Sequence, residues 1–291
     1  AAISSGRWGA LLLYALLPWM VHLSRMLAGF ADVSDMREGE PLVLISPSTW
    51  RRWFASLVLL LAISFAFEPA TIVVFAIVAI VLGASSLAHG VTLAASSRWV
   101  VINAGALLSA LALNLPWTGT YIRSGWWEAL TGAPVESGRN VGLVGLATFN
   151  VGTFTLSFLC VALYAAVVGA VFLVRGARTG WALRGATLTG VSLLLAMLDD
   201  SALSPVHLPE PAVMLVPVAF GIAICASTMG AALVLDLRRG RLSWRQPLSA
   251  LVGAMFVVGL VPVAINSVNG GWNQPSLSLP QLLQQLPDAS S

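Results

Sequence analysis

The sequence predicts an all-α polytopic transmembrane bundle of about eight spans, with short interfacial helices in its outer loops. Three observations carry this. First, 58% of the 291 residues are apolar and only 9% are charged, against about 25% charged in soluble domains, and mean hydropathy is +0.88. Second, the apolar residues fall in continuous runs of about 20, the length that carries a helix across roughly 30 Å of hydrocarbon. Runs of this kind read as helices, not as the alternating strands of a barrel. Third, the arginines gather on one side when the runs are threaded back and forth.

The first run, Trp8–Leu27, contains Pro18 as an expected kink. Residues 1–7 hold a single Arg and lead straight into it, which fits a membrane helix and not a signal peptide. The second is charge-free only from Trp53 to Phe67, but Ser46-Pro47 offers an N-cap and a first-turn proline, which places Arg51 and Arg52 at the headgroups. The third, Ala70–Leu87, follows the tight Glu68-Pro69 turn. The fourth is Trp99–Leu115, with Pro116 as its stop. The remaining spans are expected at Thr153–Leu173, Trp181–Leu198, Ala212–Leu235 (with Pro217) and Pro247–Ile265 (with Pro262).

Threaded this way, Arg25, Arg37, Arg51, Arg52, Arg98, Arg175, Arg178, Arg184, Arg238, Arg239, Arg241 and Arg245 share one side, and only Arg7, Arg123 and Arg139 take the other. Twelve against three is a strong positive-inside bias. It predicts a multi-pass protein of the plasma membrane with both termini outside. The whole of 1–291 reads as one transmembrane domain with an outer loop at 116–152 and an outer tail at 266–291. In the loop, short surface helices are expected at Ser124–Leu130 and Gly142–Asn150, beside the interfacial aromatics Trp117, Tyr121, Trp126 and Trp127.

Composition excludes several functions. All 15 basic residues are Arg, so no chemistry that needs a lysine amine is available, whether a Walker A phosphate contact or a Schiff base. Cys160 and Cys225 lie 65 positions apart in apolar runs, with no metal-ligand spacing, and read as buried hydrophobes. The arginines form no stripe interleaved with aromatics, so nucleic acid is not an expected partner. No DxD, HExxH, GxGxxG or P-loop is present, and no metal or cofactor is expected.

Among the polar residues, Asp199, Asp200, His207 and Glu210 form the densest cluster on the outer face and are the candidate site. Adjacent carboxylates point about 100° apart on a helix, so they make no clamp by themselves, and a solvated helix stop is the alternative. Arg123, Trp126, Trp127 and Arg139 are the candidate contacts for a lipid phosphate, with headgroup snorkelling as the plainer account. Snorkelling is also the reading for Arg25 and Arg184, and His89 reads as a helix cap. Asn103 is expected to make an interhelical hydrogen bond, and Ala223, Ser227 and Ala231 to form a small-residue packing face. No charged residue falls at a predicted midplane, which argues against an ion-coupled carrier.

Several stretches resemble one family in order and spacing. They are Gly6-Arg7-Trp8-Gly9 leading to Leu17-Pro18-Trp19; Leu115-Pro116-Trp117 with Gly125-Trp126-Trp127-Glu128-Ala129-Leu130; Leu208-Pro209-Glu210-Pro211; Asp236-Leu237 with Ser243-Trp244-Arg245-Gln246; and Gly271-Trp272 before Pro275. Together they are similar to the second half of the membrane region of large actinobacterial glycosyltransferase-family-2-like proteins. The resemblance implies a membrane-embedded module of cell-envelope glycan assembly that anchors a catalytic domain and contacts a polyprenyl-phosphate-linked sugar. It implies an N-terminal glycosyltransferase domain as partner, in keeping with a chain that begins at Ala1 and reads as a processed or partial one. The family's catalytic carboxylates have no counterpart here, so no catalytic residue carries over. A flippase-like permease and a ligand-free scaffold are the alternative readings. The topology has a direct check: a thiol introduced by Ser243→Cys should react with membrane-impermeant maleimide only from the cytosolic side, and labelling from outside would invert the map.

Overall fold

A computed structural model describes residues 8–29, 46–88, 93–119, 125–131, 141–151, 155–176, 178–204, 206–238 and 244–268. Among the described residues the regular structure is entirely helical. The elements are α1 (Trp8–Ala28), α2 (Pro47–Phe67), α3 (Thr71–Ala88), α4 (Leu93–Leu113), three short helices α5 (Leu115–Thr118), α6 (Trp126–Thr131) and α7 (Gly142–Ala147), a 3₁₀ segment (Ser157–Leu163) that runs into α8 (Tyr164–Leu173), α9 (Arg178–Asp200), α10 (Pro211–Arg238) and α11 (Arg245–Val268). Among the described residues, six helices are long and apolar enough to cross a membrane, those of α1, α2, α4, α9, α10 and α11, while Thr71–Leu87 and Ser157–Leu173 are shorter apolar helices. The chain is a multi-pass membrane protein.

Local chemistry accounts for most boundaries. Ser46 caps α2 by accepting from the Thr49 N–H at 3.3 Å, with Pro47 in the first turn, where its missing N–H costs nothing. α4 departs from expectation. It begins at Leu93, six residues before Trp99, and ends before Pro116, which sits inside the short α5. The break is at Asn114, whose side chain donates to the Ala110 carbonyl and, at 3.2 Å, to the Ala62 carbonyl on α2. The short helices α6 and α7 lie where short helices were expected in the loop at 116–152.

α10 is the centre of the bundle. Residues 212–218 are buried without interruption, as expected of a helix that is apolar on every side. It packs against α9, α8, α11, α1 and α3. One apolar cluster joins α1 to α4 with α9 and α10, and a second joins α8 and α11 to the same pair. The α9–α10 pair therefore belongs to both halves. By contrast α11 turns most of its length outward, including Leu251, Met255, Val257 and Leu260. Lipid is the solvent that leaves such a face without a hydrophobic penalty.

The α9–α10 contact is made backbone to backbone. A methyl built on Gly221 would stand 2.6 Å from the Gly185 carbonyl oxygen, and one on Gly185 would stand 2.9 Å from the Gly221 carbonyl oxygen and 2.8 Å from Cys225 Sγ. The small-residue face expected at Ala223, Ser227 and Ala231 is not the packing face. Ala223 and Ser227 are exposed, and the close approach uses Gly221 and Cys225, on another side of the same helix. Asn103 does join helices, accepting from Ser24 Oγ on α1 at 2.8 Å while its amide donates to the Trp99 carbonyl. Gly221→Ala should destabilise the bundle by about 1–3 kcal/mol, the usual penalty of overpacking, seen as a lowered melting temperature in detergent, whereas Gly230→Ala, with open space around it, should leave it unchanged.

Candidate functional site

At the C-terminal end of α9 two neighbouring carboxylates diverge to brace two different segments. Asp200 accepts from the Val141 and Gly142 amides at 2.9 and 2.8 Å, one on each oxygen. These amides open α7, whose own N-cap residue makes no side-chain bond. Asp200 thus supplies in trans the acceptor and negative charge that a helix start favours. Asp199 turns toward the loop before α10, accepting from the Leu208 N–H at 2.8 Å and standing 3.4 Å from His207 Nδ1. The carbonyl of His207 in turn accepts from the indole N–H of Trp127 on α6. Glu210 stands at the start of α10, where its carbonyl accepts from the Val213 and Met214 amides.

The chain leaves α9 by a left-handed residue. Ala202 has φ +54°, its N–H reaches the Asp199 carbonyl, and the Leu203 N–H reaches back to Leu198. This is the Schellman pattern, filled by alanine where glycine is the usual occupant. It folds Leu203 back over α9 and helps to form an open depression of about 300 Å³. Leu143, Leu194, Met197, Leu198 and Leu203 form its walls, with Ser201 and Asp200 as its polar side chains.

The structure therefore links Asp199, His207 and Trp127 around the loop before α10, while Asp200 braces the start of α7 separately. Trp126 meets Trp127 edge to face, with ring centroids 5.4 Å apart, and is half exposed. Arg123 and Arg139 lie outside the described residues, as do His89, Tyr121, residues 1–7 and the tail from 269. Among the described residues no group of three or more His, Cys, Asp or Glu side chains gathers in metal-binding range.

The opposite end of the bundle corrects an expectation. Arg25 and Arg184 do not snorkel to the surface. They are 6% and 4% exposed, and both lie by the buried ring of Trp181, with guanidinium carbons 5.7 and 4.8 Å from its centroid. The quadrupole of the indole face attracts both cations. Arg98 on α4 joins this end, donating to the Ala28 carbonyl in the last turn of α1 at 3.5 Å. Arg-Trp-Arg proximity across α1 and α9 has no signal in spacing, because Arg25 and Trp181 are 156 positions apart in sequence.

A second polar clamp was also missed. Asn266, near the end of α11, donates to the Thr155 carbonyl at 3.1 Å and accepts from the Thr155 N–H and Oγ at 3.3 and 3.1 Å. Its carboxamide acts as a substitute peptide group for backbone that enters the 3₁₀ segment. The only hint in the sequence was an amide in an otherwise apolar stretch.

Comparison with protein-family models, with curated proteins and with solved structures finds no match. Chemistry must be argued from the residues. Asp200→Asn should free the start of α7. Its replacement leaves one oxygen to accept where two did, a loss of about 1.5–3 kcal/mol for a charged acceptor. Hydrogen exchange at the Val141 and Gly142 amides should accelerate, with amides in the middle of α10 unaffected.

Proposed function

We propose that this chain is the membrane-embedded portion of a glycosyltransferase-like protein of cell-envelope glycan assembly. In this reading it anchors a catalytic domain and holds a polyprenyl-linked sugar beside the end of α9. The observation that carries the reading is the depression next to Asp200, a leucine-walled trough with a hydroxyl and a carboxylate beside it. An isoprenoid chain suits the apolar wall, and sugar hydroxyls suit Ser201 and the carboxylate as acceptors. Arg123 and Arg139 are the proposed phosphate contacts, with Trp126 and Trp127 at the interface.

The topology that goes with this reading has eight spans in the plasma membrane, with both termini outside. α3 is about 27 Å long at 1.5 Å per residue, close to the hydrocarbon thickness. The 3₁₀ segment rises about 2.0 Å per residue, so its 7 residues and the 10 of α8 together reach about 29 Å. Extension by a 3₁₀ turn lets a short segment cover nearly the depth of a full-length helix. Arg25, Arg98 and Arg184 share the end opposite Asp199 and Asp200, which supports that end as the cytosolic one. The permease reading is weaker because the axis of the bundle is filled by the buried residues of α10.

The test is photocrosslinking of the full chain in nanodiscs with a benzophenone-bearing polyprenyl-phosphate sugar. Labelling should concentrate on residues 194–203 and fall severalfold in Met197→Trp, which fills the trough, while the melting temperature holds. Equal labelling of wild type and Met197→Trp, or labelling spread evenly along α11, would refute the proposal.

A further inference from the structure

The trough beside Asp200 is open on its flank as well as at its mouth. Three of its wall residues are exposed, Leu143 and Leu194 by about half and Leu203 by more. Leu194 belongs to α9, a helix long and apolar enough to cross a membrane, and lies about 9 Å below Asp200 along its axis. At that depth the solvent on its open side is hydrocarbon and not water. The trough therefore communicates sideways with the bilayer.

The surface of α9 continues this opening downward. Its buried residues, Trp181, Leu188, Ser192 and Ala196 among them, take one side of the helix. The opposite side carries Ser201, Leu198, Leu194 and Gly190 at spacings of three, four and four, which line up on one helical face. Ser201, Leu194 and Gly190 are exposed, and a methyl built on Gly190 would meet no other side chain or helix within 4 Å. With no side chain at 190, the surface dips just below Leu194. From Ser201 to Gly190 is eleven residues, about 16 Å along the axis, close to half of the roughly 30 Å hydrocarbon thickness. The face thus runs from the end of the helix to the middle of the membrane, the depth that the chains of one leaflet occupy.

We infer that the trough and the outward face of α9 down to Gly190 form one track for a single isoprenoid chain, which enters sideways from the leaflet at the Asp200 end. The head stays beside Asp200 and Ser201, the first part of the chain fills the leucine-walled trough, and the remainder lies against Leu194 and the dip at Gly190. This deepens the reading of the trough as a polyprenyl site and rests on it. It makes the ligand a membrane-resident lipid, because a water-soluble sugar donor has no hydrocarbon to set against this wall.

The test uses the full chain in phosphatidylcholine nanodiscs and geranylgeranyl phosphate with a diazirine at the chain end remote from the phosphate. Insertion should concentrate on residues 187–191, severalfold above the lipid-exposed Val257 and Leu260 of α11. Geranyl phosphate with the same group is shorter and should insert at residues 194–198 instead. Gly190→Trp fills the dip from a position with open space around it, so the melting temperature should hold while geranylgeranyl labelling at 187–191 falls severalfold and geranyl labelling persists. Should that variant melt lower, Gly190→Leu gives the same readout. Chain ends spread evenly over α9 and α11, or undiminished labelling in a folded Gly190 variant, overturn the assignment. Chain-end labelling at 187–191 without crosslinking of the sugar-bearing probe at 194–203 keeps the track and removes the glycan reading. Crosslinking of the sugar-bearing probe at 194–203 with chain ends spread evenly removes the track alone.

Discussion

The crossing of α9 and α10 at Gly185 and Gly221 is the contact on which the rest of the bundle depends. Lipid tails are as apolar as leucine, so a membrane offers little hydrophobic reward for bringing two helices together. What remains is dispersion, which grows steeply with closeness, and closeness is limited by side chains. Removing both side chains lets the Gly221 backbone come against the Gly185 carbonyl with Cys225 alongside. α1 to α4 assemble on one flank of this pair, and α8 and α11 on the other.

The two ends of α9 use charge in opposite ways. At one end the carboxylates serve architecture: both Asp200 oxygens accept amides at the start of α7, and Asp199 Oδ1 accepts the Leu208 amide. The acidic pair fixes α7 and the Leu208 turn, and so shapes the trough without needing a ligand. At the other end the guanidinium groups are drawn inward against an aromatic ring, and a donor is left over.

Much of the fold was legible because a bilayer imposes lengths. A run of about 20 apolar residues, a Ser-Pro start, a Glu-Pro turn and the arginine bias are each read directly from the chain, and helix ends fall near their expected positions. Asn103 was legible for the same reason, since an amide in a greasy helix needs a partner. Long-range choices were not. Ala223, Ser227 and Ala231 and the pair Gly221 and Cys225 are both small-residue faces of α10, and only the position of α9 selects between them. The same holds for Arg25 and Arg184, where nearness to a helix end suggests snorkelling but the neighbouring helix decides burial. The 3₁₀ entry to α8 was also hidden, because continuous apolarity carries no mark of pitch and Asn266 acts on it from 111 positions away. At the candidate site the sequence showed which acids were close in number, but the direction of each carboxylate depends on loops that return from elsewhere.

The composition of α9 has a consequence for biogenesis. This helix buries Arg184, Thr189 and Ser192, groups that an isolated segment would have to present to hydrocarbon as it leaves the translocon. Its natural cover is α10, which emerges only after the short connection through Leu208. The ribosome therefore delivers the polar partner first and its apolar counterpart second. Departure of α9 and α10 together as a hairpin would cover Thr189 and Ser192 before they meet hydrocarbon, and so lower the cost of inserting α9.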